Sequence, residues 1–403
     1  MLSQLAKTST KVRVAIGITA FILAASTIAG CAAQQGNALP SDQSEMVGMS
    51  NMSHNSSALN AADGSSQDVA TGKTREYFIQ SEEVDWSYDP TKKNQITNAP
   101  FTGDELVFAR GADGTIGGTY KKCLYRGYTD SSFKTQIEQP AYMGTLGPTI
   151  FAEVGDNVVV HFKNVCTFGT TVHVHGFLYH KDSEGAPYND GTNLKGDDNV
   201  APGDTYDYHY YVPGTAGPAA AEGSSAMWMY HSHQDEIGDT YAGLTGFIVV
   251  TRNGMADSEG KPTDVDQFVY SLYEIADENA SSNFKENFPG IPEDRINDED
   301  FHESNLKHSI NGYIYGNGPM PVLKAGTRVR WLLMDMGNEV DVHTPHWHGN
   351  TEVVMGMRTD VVTMLSGTMI TADLTPNNKG IWLFHCHVAD HIAAGMIGRY
   401  QVK

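Results

Sequence analysis

Two stretches of this 403-residue chain repeat each other: Trp228-Met229-Tyr230-His231-Ser232-His233 and Trp382-Leu383-Phe384-His385-Cys386-His387. An Ala-Gly pair follows each, in Ala242-Gly243-Leu244 and Ala394-Gly395-Met396. Upstream of each stands a β-rich run after a glycine and a short turn, Val158-Val159-Val160-His161-Phe162 in one copy and Val329-Arg330-Trp331-Leu332-Leu333 in the other. An internal duplication of this kind means two copies of one module. Short apolar runs joined by long glycine-rich connections read as strands, so the expected class is all-β, with each copy a Greek-key β-sandwich. The boundary between copies falls in the polar stretch from about Arg252 to Val265, which places the modules at 74–253 and 265–403.

The closing strand of the second copy carries the chemistry. His385-Cys386-His387-Val388-Ala389-Asp390-His391, with Met396 just beyond, puts a thiolate, three imidazoles and a thioether in one short peptide. Neighbouring side chains on a strand face opposite ways, so Cys386 points one way and His385 and His387 the other, and one peptide can serve two metal sites. A Cys thiolate with His ligands and a weak, distant Met suits a blue-copper electron-transfer centre. A lone His-x-His is weak evidence, because it usually marks a half-exposed strand. Here it recurs in His173-Val174-His175, His231-Ser232-His233 and His343-Thr344-Pro345-His346-Trp347-His348, and these clusters with the Cys386 segment hold 10 of the 16 histidines. Setting aside His343, Cys386, His391 and Met396 as one site leaves eight histidines in four pairs, the number that a cluster of three coppers needs.

With these motifs the chain resembles the multicopper oxidases, in a two-domain form similar to the ceruloplasmin and hephaestin group and to the small two-domain laccases. The resemblance runs from about Arg75 to the C-terminus. It includes Leu146-Gly147-Pro148, Glu153-Val154-Gly155-Asp156, Ser309-Ile310-Asn311-Gly312-Tyr313 and Met336-Gly337-Asn338-Glu339-Val340-Asp341-Val342-His343. It implies cupredoxin-like domains and four coppers per catalytic unit. His343, Cys386, His391 and Met396 would hold the type 1 copper, and His173 and His346 the type 2 copper. His175, His231, His233, His348, His385 and His387 would hold the type 3 pair. Position by position, the first module has Ser232 for Cys386, Thr170 for His343 and Ile237 for His391. A hydroxyl cannot replace a thiolate as charge donor, so this module has no type 1 site, yet it keeps both His pairs. Those pairs need the pairs of a second module, and two-domain relatives meet that need as homotrimers with each cluster between subunits; a monomer with an internal cluster is the alternative.

The resemblance also bears on the reductant. In the ceruloplasmin group, a Glu and a His matching Glu303 and His308 bind ferrous iron together with the Asp before the type 1 His, here Asp390, and a Glu of a neighbouring domain, here Glu339. Carboxylates with one imidazole suit Fe(II) and hold Fe(III) more tightly, which eases electron loss. The expected function is therefore one-electron oxidation of a small reductant, foremost Fe(II), coupled to four-electron reduction of O2 to water. Cu(I) or phenols, as in a laccase, remain alternatives, and a copper nitrite reductase is disfavoured because it needs only three histidines at its type 2 copper. Asp235 or Glu236 beside His233 could relay protons, or be plain loop acids. Calcium at Asp197 and Asp198, with the carbonyl of Lys181, is a further expectation from the same likeness, because hard oxygen donors suit that ion.

The remaining features concern location. A formal net charge of -21, from 27 Lys and Arg against 48 Asp and Glu, argues against nucleic acid as a partner. Lys7, Lys11 and Arg13 precede an apolar run from Val14 to Ile28-Ala29-Gly30-Cys31. This reads as a lipoprotein signal peptide over 1–31, with Cys31 lipidated as a membrane anchor and the catalytic part outside the cytoplasmic membrane; an uncleaved membrane helix is the alternative. Residues 32–73, rich in Ser, Ala, Asn, Gly and Gln, read as a disordered tether. Within it Met46, Met49 and Met52 offer thioether donors soft enough for Cu(I), with the imidazole of His54 at a matching spacing, although a linker needs no such role for them. Cys123 and Cys166 stand in the first module of an exported chain, where a disulfide can persist, but sequence alone does not pair them.

Overall fold

The structure, a computed structural model, describes residues 72–111 and 115–403. Cys31, the signal peptide, nearly all of the tether and its Met46, Met49, Met52 and His54 lie outside the described residues.

Residues 157–164, Asn-Val-Val-Val-His-Phe-Lys-Asn, alternate between buried and half-buried, as a strand with one face on a core must. This strand lies in a five-stranded sheet ordered Thr119–Tyr128, Thr74–Ser87, Asn157–Asn164, Thr205–Tyr211, Leu178–Tyr179. Facing it is a four-stranded sheet, Ile150–Glu153, Thr245–Thr251, Ser225–His231, His173–Val174. The equivalent strand of the second copy, Val329–Asp335, sits in a six-stranded sheet and is buried at every position. Its odd positions Trp331 and Leu333 enter the second module's own core, while Leu332 and Met334 enter a third core shared with the first module. A strand covered on both faces loses the alternation that a half-exposed one shows.

No strand ladder among the described residues joins 74–251 to 267–402. Two cores join the modules: the third, where Leu146, Met229, Phe247 and Val249 meet Tyr270, Leu272, Leu332 and Met334, and a fourth, where Tyr88, Phe108 and Tyr120 meet Phe288, Phe301 and Tyr315. At about 1.5–3 kcal/mol for each fully buried Leu, Met or Phe, these contacts are strong enough to hold the two sandwiches as one body. A buried ion pair reinforces them: Lys122 Nζ lies 2.6 Å from Glu278 Oε1 and also donates to the carbonyl of Tyr241.

The duplication extends to small details. Gly176 and Gly349, directly after the His-x-His pairs, have φ of 79° and 75°, and each is covered by a tryptophan ring, Trp228 or Trp382. A side chain at either glycine would collide with that ring. Cys123 and Cys166, left unpaired by sequence, form a disulfide that ties the strand Thr119–Tyr128 to the turn after Asn164.

The second core also encloses Glu352, whose two carboxylate oxygens have no hydrogen-bond partner, and burial pushes its pKa up to about 8. A folded-state pKa above the unfolded value means that its stabilising contribution is complete at low pH and is lost as pH rises through about 8. Glu352→Gln is therefore expected to melt with the wild type near about pH 4 and several degrees above it at pH 8.5. Equal melting temperatures at the higher pH would refute this.

Candidate metal centres

Antiparallel pairing assembles two matching histidine groups. His173 lies opposite His231 in one ladder, and His346 lies opposite His385 in the other. His175 Nε2 stands 3.2 Å from His231 Nε2, and His348 Nε2 stands 3.1 Å from His385 Nε2. His233 and His387 complete the two groups, with ring centroids 5.6 and 5.7 Å from those of His231 and His385. In four of the rings Nδ1 faces a backbone carbonyl: His173 that of Glu184, His231 that of Ser232, His346 that of Asp360 and His385 that of Cys386. A carbonyl only accepts, so Nδ1 carries the proton and Nε2 keeps its lone pair. Burial, with a smaller effect from neighbouring rings, pushes His175 down to about 4, while burial pushes His231 down to about 3. Both are neutral bases at neutral pH, the form a metal ligand requires.

The two groups do not meet within the chain: among the described residues no ring contact or hydrogen bond links any of His173, His175, His231 and His233 to any of His346, His348, His385 and His387. The second group instead opens onto a cavity of about 990 Å³ lined by His346, His348, Arg358, Asp360, Asn378 and Trp382.

Behind His385, the Cys386 side chain turns into the core. It is fully buried with His343, His391 and Met396. His343 Nδ1 lies 3.1 Å from His391 Nδ1, and Cys386 Sγ lies 3.6 Å from that same nitrogen. Burial alone would raise the thiol's pKa, but hydrogen bonds from His343, His391 and the amide N–H groups of Thr344 and Val388 outweigh it and bring it to about 6. The sulfur is a thiolate at neutral pH. Three converging nitrogen and sulfur donors at such short separations fit a soft cation.

The first module reproduces this pocket with different atoms. Thr344 N donates to Cys386 Sγ at 3.3 Å and Thr171 N donates to Ser232 Oγ at 3.0 Å. Cys386 N bonds the carbonyl of Met396, and Ser232 N that of Leu244. One expectation from spacing fails here. Ile237 does not occupy the place of His391; it is 65% exposed, and the side chain that reaches Ser232 Oγ, at 2.6 Å, is Asp239. The first copy has two extra residues before its Ala-Gly pair, which rotates the helix Glu236–Ala242 and brings Asp239 inward.

Of the residues expected to bind iron, His308 is buried with its ring centroid 5.3 Å from that of His391. Burial and the neighbouring His391 push it down to about 4, and its Nδ1 has no hydrogen-bond partner. Asp390 lies in the first turn of the helix Ala389–Ala393 and is exposed, close enough for its charge to act on His308. Glu303, on the helix Glu299–Ser304, and Glu339, in the loop after Asp335, are both exposed. Asp235 caps the helix Glu236–Ala242 through Gly238 N, and Glu236 lies 3.3 Å from His233 Nε2. Asp197 is buried with one carboxylate oxygen on Gly185 N and the other without a partner, whereas Asp198 is approached by Lys195 at 3.3 Å. Sequence reasoning passed over Asp335 and Asp341, which lie buried beside His343.

Residues 141–254 and 290–403 each match a family model described as multicopper oxidase, and together they span more than half of the chain. The chain is 40% identical to hephaestin of Homo sapiens over 83% of its own length and 30% of that protein. It is 40% identical to ferroxidase HEPHL1 of Homo sapiens over 82% of its length and 29% of that protein, and 37% identical to ceruloplasmin of Mus musculus over 83% and 32%. It thus spans less than a third of the length of these relatives. Among solved structures, a blue copper oxidase from Nitrosomonas europaea aligns with a TM-score of 0.51 at 17% identity, over 82% of this chain and 86% of that one. A copper nitrite reductase from the same organism aligns with a TM-score of 0.52 at 15% identity, over 82% and 94%. At such identities this is a likeness of fold, that of paired cupredoxin-like β-sandwiches. The matched family models, the hephaestin and ceruloplasmin identities and the pairs of histidines around Cys386 agree: this chain belongs to the multicopper oxidase family.

Proposed function

We propose that the protein oxidises Fe(II) one electron at a time and passes four electrons to O2, forming water. The observation that carries this reading is the pair of four-histidine groups, one joined through His385 and His387 to the buried thiolate Cys386. His343, Cys386, His391 and Met396 would hold the type 1 copper. His173 and His346 would hold type 2, and His175, His231, His233, His348, His385 and His387 the type 3 pair, four ions in all per catalytic unit. When bound, these coppers supply reversible one-electron uptake and reduction of O2.

Because each group is half of a cluster, the active form is a homotrimer in which the first module (74–253) of one subunit meets the second module (265–403) of the next. Eight histidines favour O2 over nitrite as acceptor. The chain's own residues set the entry for electrons. His308 offers an unpartnered, neutral nitrogen beside the His391 ring, and Asp390 is covalently next to His391, so a ferrous ion held there has a short path to Cys386. Glu303 and, from an adjacent subunit, Glu339 would complete the substrate site. The buried, unpartnered Asp197 oxygen supports a calcium ion at Asp197 and Asp198, once Lys195 swings off Asp198. Among the described residues no helix is long and apolar enough to cross a membrane. The lipobox at Cys31 supports anchoring in the cell envelope, outside the cytoplasmic membrane.

Oxygen uptake by the copper-loaded protein, with Fe(II), Cu(I) or a bulky phenol as donor, tests the assignment. Glu303→Ala with His308→Ala is expected to lower the Fe(II) rate at least about 100-fold and leave phenol turnover within about twofold. Iron turnover that survives the double substitution sinks the iron site; phenol turnover alone in the wild type makes the enzyme a laccase.

A further inference from the structure

Asp341 connects the type 1 position to the surface, and it belongs to none of the ligand sets named above. It is 1% exposed. One carboxylate oxygen accepts from His343 Nε2 at 3.0 Å and from Ile275 N at 2.7 Å, and the other accepts from Asn338 N at 2.8 Å. Three N–H donors on one buried carboxylate leave it no freedom to rotate. With Nε2–H of His343 committed to Asp341, Nδ1 is the atom left for metal, and Nδ1 is the atom that faces His391.

The other end of the contact is a loop. Asn338 belongs to the turn Gly337–Val340, whose outer side is exposed: Glu339 and Val340 face solvent, and Val342 pairs with exposed Leu365 in a short ladder. Gly337 has φ of 134° and packs directly on the Asp341 carboxylate, where any side chain would collide with it. The loop therefore closes around the carboxylate, and the carboxylate holds the imidazole.

We propose that Asp341 is a positioning residue that locks His343 for copper and transmits to it the seating of the loop Gly337–Val340. The same loop carries Glu339, so the carboxylate offered to a neighbouring subunit's iron and the local type 1 ligand are held by one device. This inference rests on the assignment of the type 1 copper to His343, Cys386, His391 and Met396.

The test uses the copper-loaded full chain with Asp341→Asn, Asp341→Ala and Gly337→Ala, checked for folding by circular dichroism. The readouts are the blue charge-transfer band, the type 1 electron paramagnetic resonance signal and copper affinity. Both Asp341 variants are expected to shift the band and weaken type 1 copper about 10- to 100-fold, with the trinuclear signals unchanged. Gly337→Ala, which touches neither copper nor His343, is expected to shift the band as well. If it does not fold, the isosteric Asp341→Asn decides alone. A wild-type band and affinity in Asp341→Asn overturn the inference and leave the copper assignment standing. A wild-type protein that binds copper without a blue band overturns that assignment, and the inference with it.

Discussion

Cys386→Ser is expected to give a folded protein with no blue band, one copper fewer per chain and no measurable O2 uptake with Fe(II). The first module already contains this substitution: Ser232 sits in an equivalent pocket, held by the same kind of amide hydrogen bond from Thr171 that Thr344 gives Cys386. Serine therefore fits sterically, and the loss is chemical. The Cys386 thiol is brought down to about 6 by the donors around it, which makes it a thiolate at neutral pH, whereas a serine hydroxyl stays protonated there and donates little charge to a soft cation. The substitution also removes the sulfur that, in the proposed function, carries electrons to His385 and His387. A loss of at least about three orders of magnitude follows, or about 4 kcal/mol in barrier terms. Oxygen uptake, copper content and the visible spectrum check it together. A variant that keeps a tenth of wild-type turnover would show that electrons enter elsewhere.

Mixing two inactive variants is expected to restore activity. His175→Ala with His231→Ala destroys the first group, and His348→Ala with His385→Ala destroys the second. Either protein alone is expected to be inactive, because every cluster lacks one half. In a mixed ring, one first-module group that is intact meets one second-module group that is intact, at one of three interfaces. Every mixed ring, whichever variant is in excess, then recovers about one third of wild-type turnover. A chain that built its cluster internally would recover none. The physical basis is that each module buries its own core and shares two more with the other module, and none of these contacts brings the two histidine groups of one chain together. Co-expression with two tags, purification through both and measurement of oxygen uptake per subunit decide between the two.

Much of the site was readable from local spacing. His-x-His on a strand puts both rings on one face, and a Cys between two His must face the other way, so donors at these spacings imply two sites whatever the rest of the chain does. The duplication was equally legible, because the motif around Trp228 and Trp382 repeats as a string. Spacing failed where a helix intervened. Counting five residues on from Ser232 reached Ile237, but the inward position on Glu236–Ala242 belongs to Asp239, since the length of the loop and the pitch of the helix set the phase. Val329–Asp335 likewise shows no alternation, as its second face is covered by residues more than 75 positions earlier in the chain.

The sequence by itself determined which donors exist, how many modules carry them and which module lost its thiolate, because strand geometry converts spacing directly into orientation. Only the tertiary structure decided that Cys123 pairs with Cys166, that the two histidine groups stay apart in one chain, and that Asp341 stands between His343 and an exposed loop. Those are contacts between groups brought together by packing, such as Asp341 with Ile275 across 66 positions, and packing depends on all the side chains of the core at once.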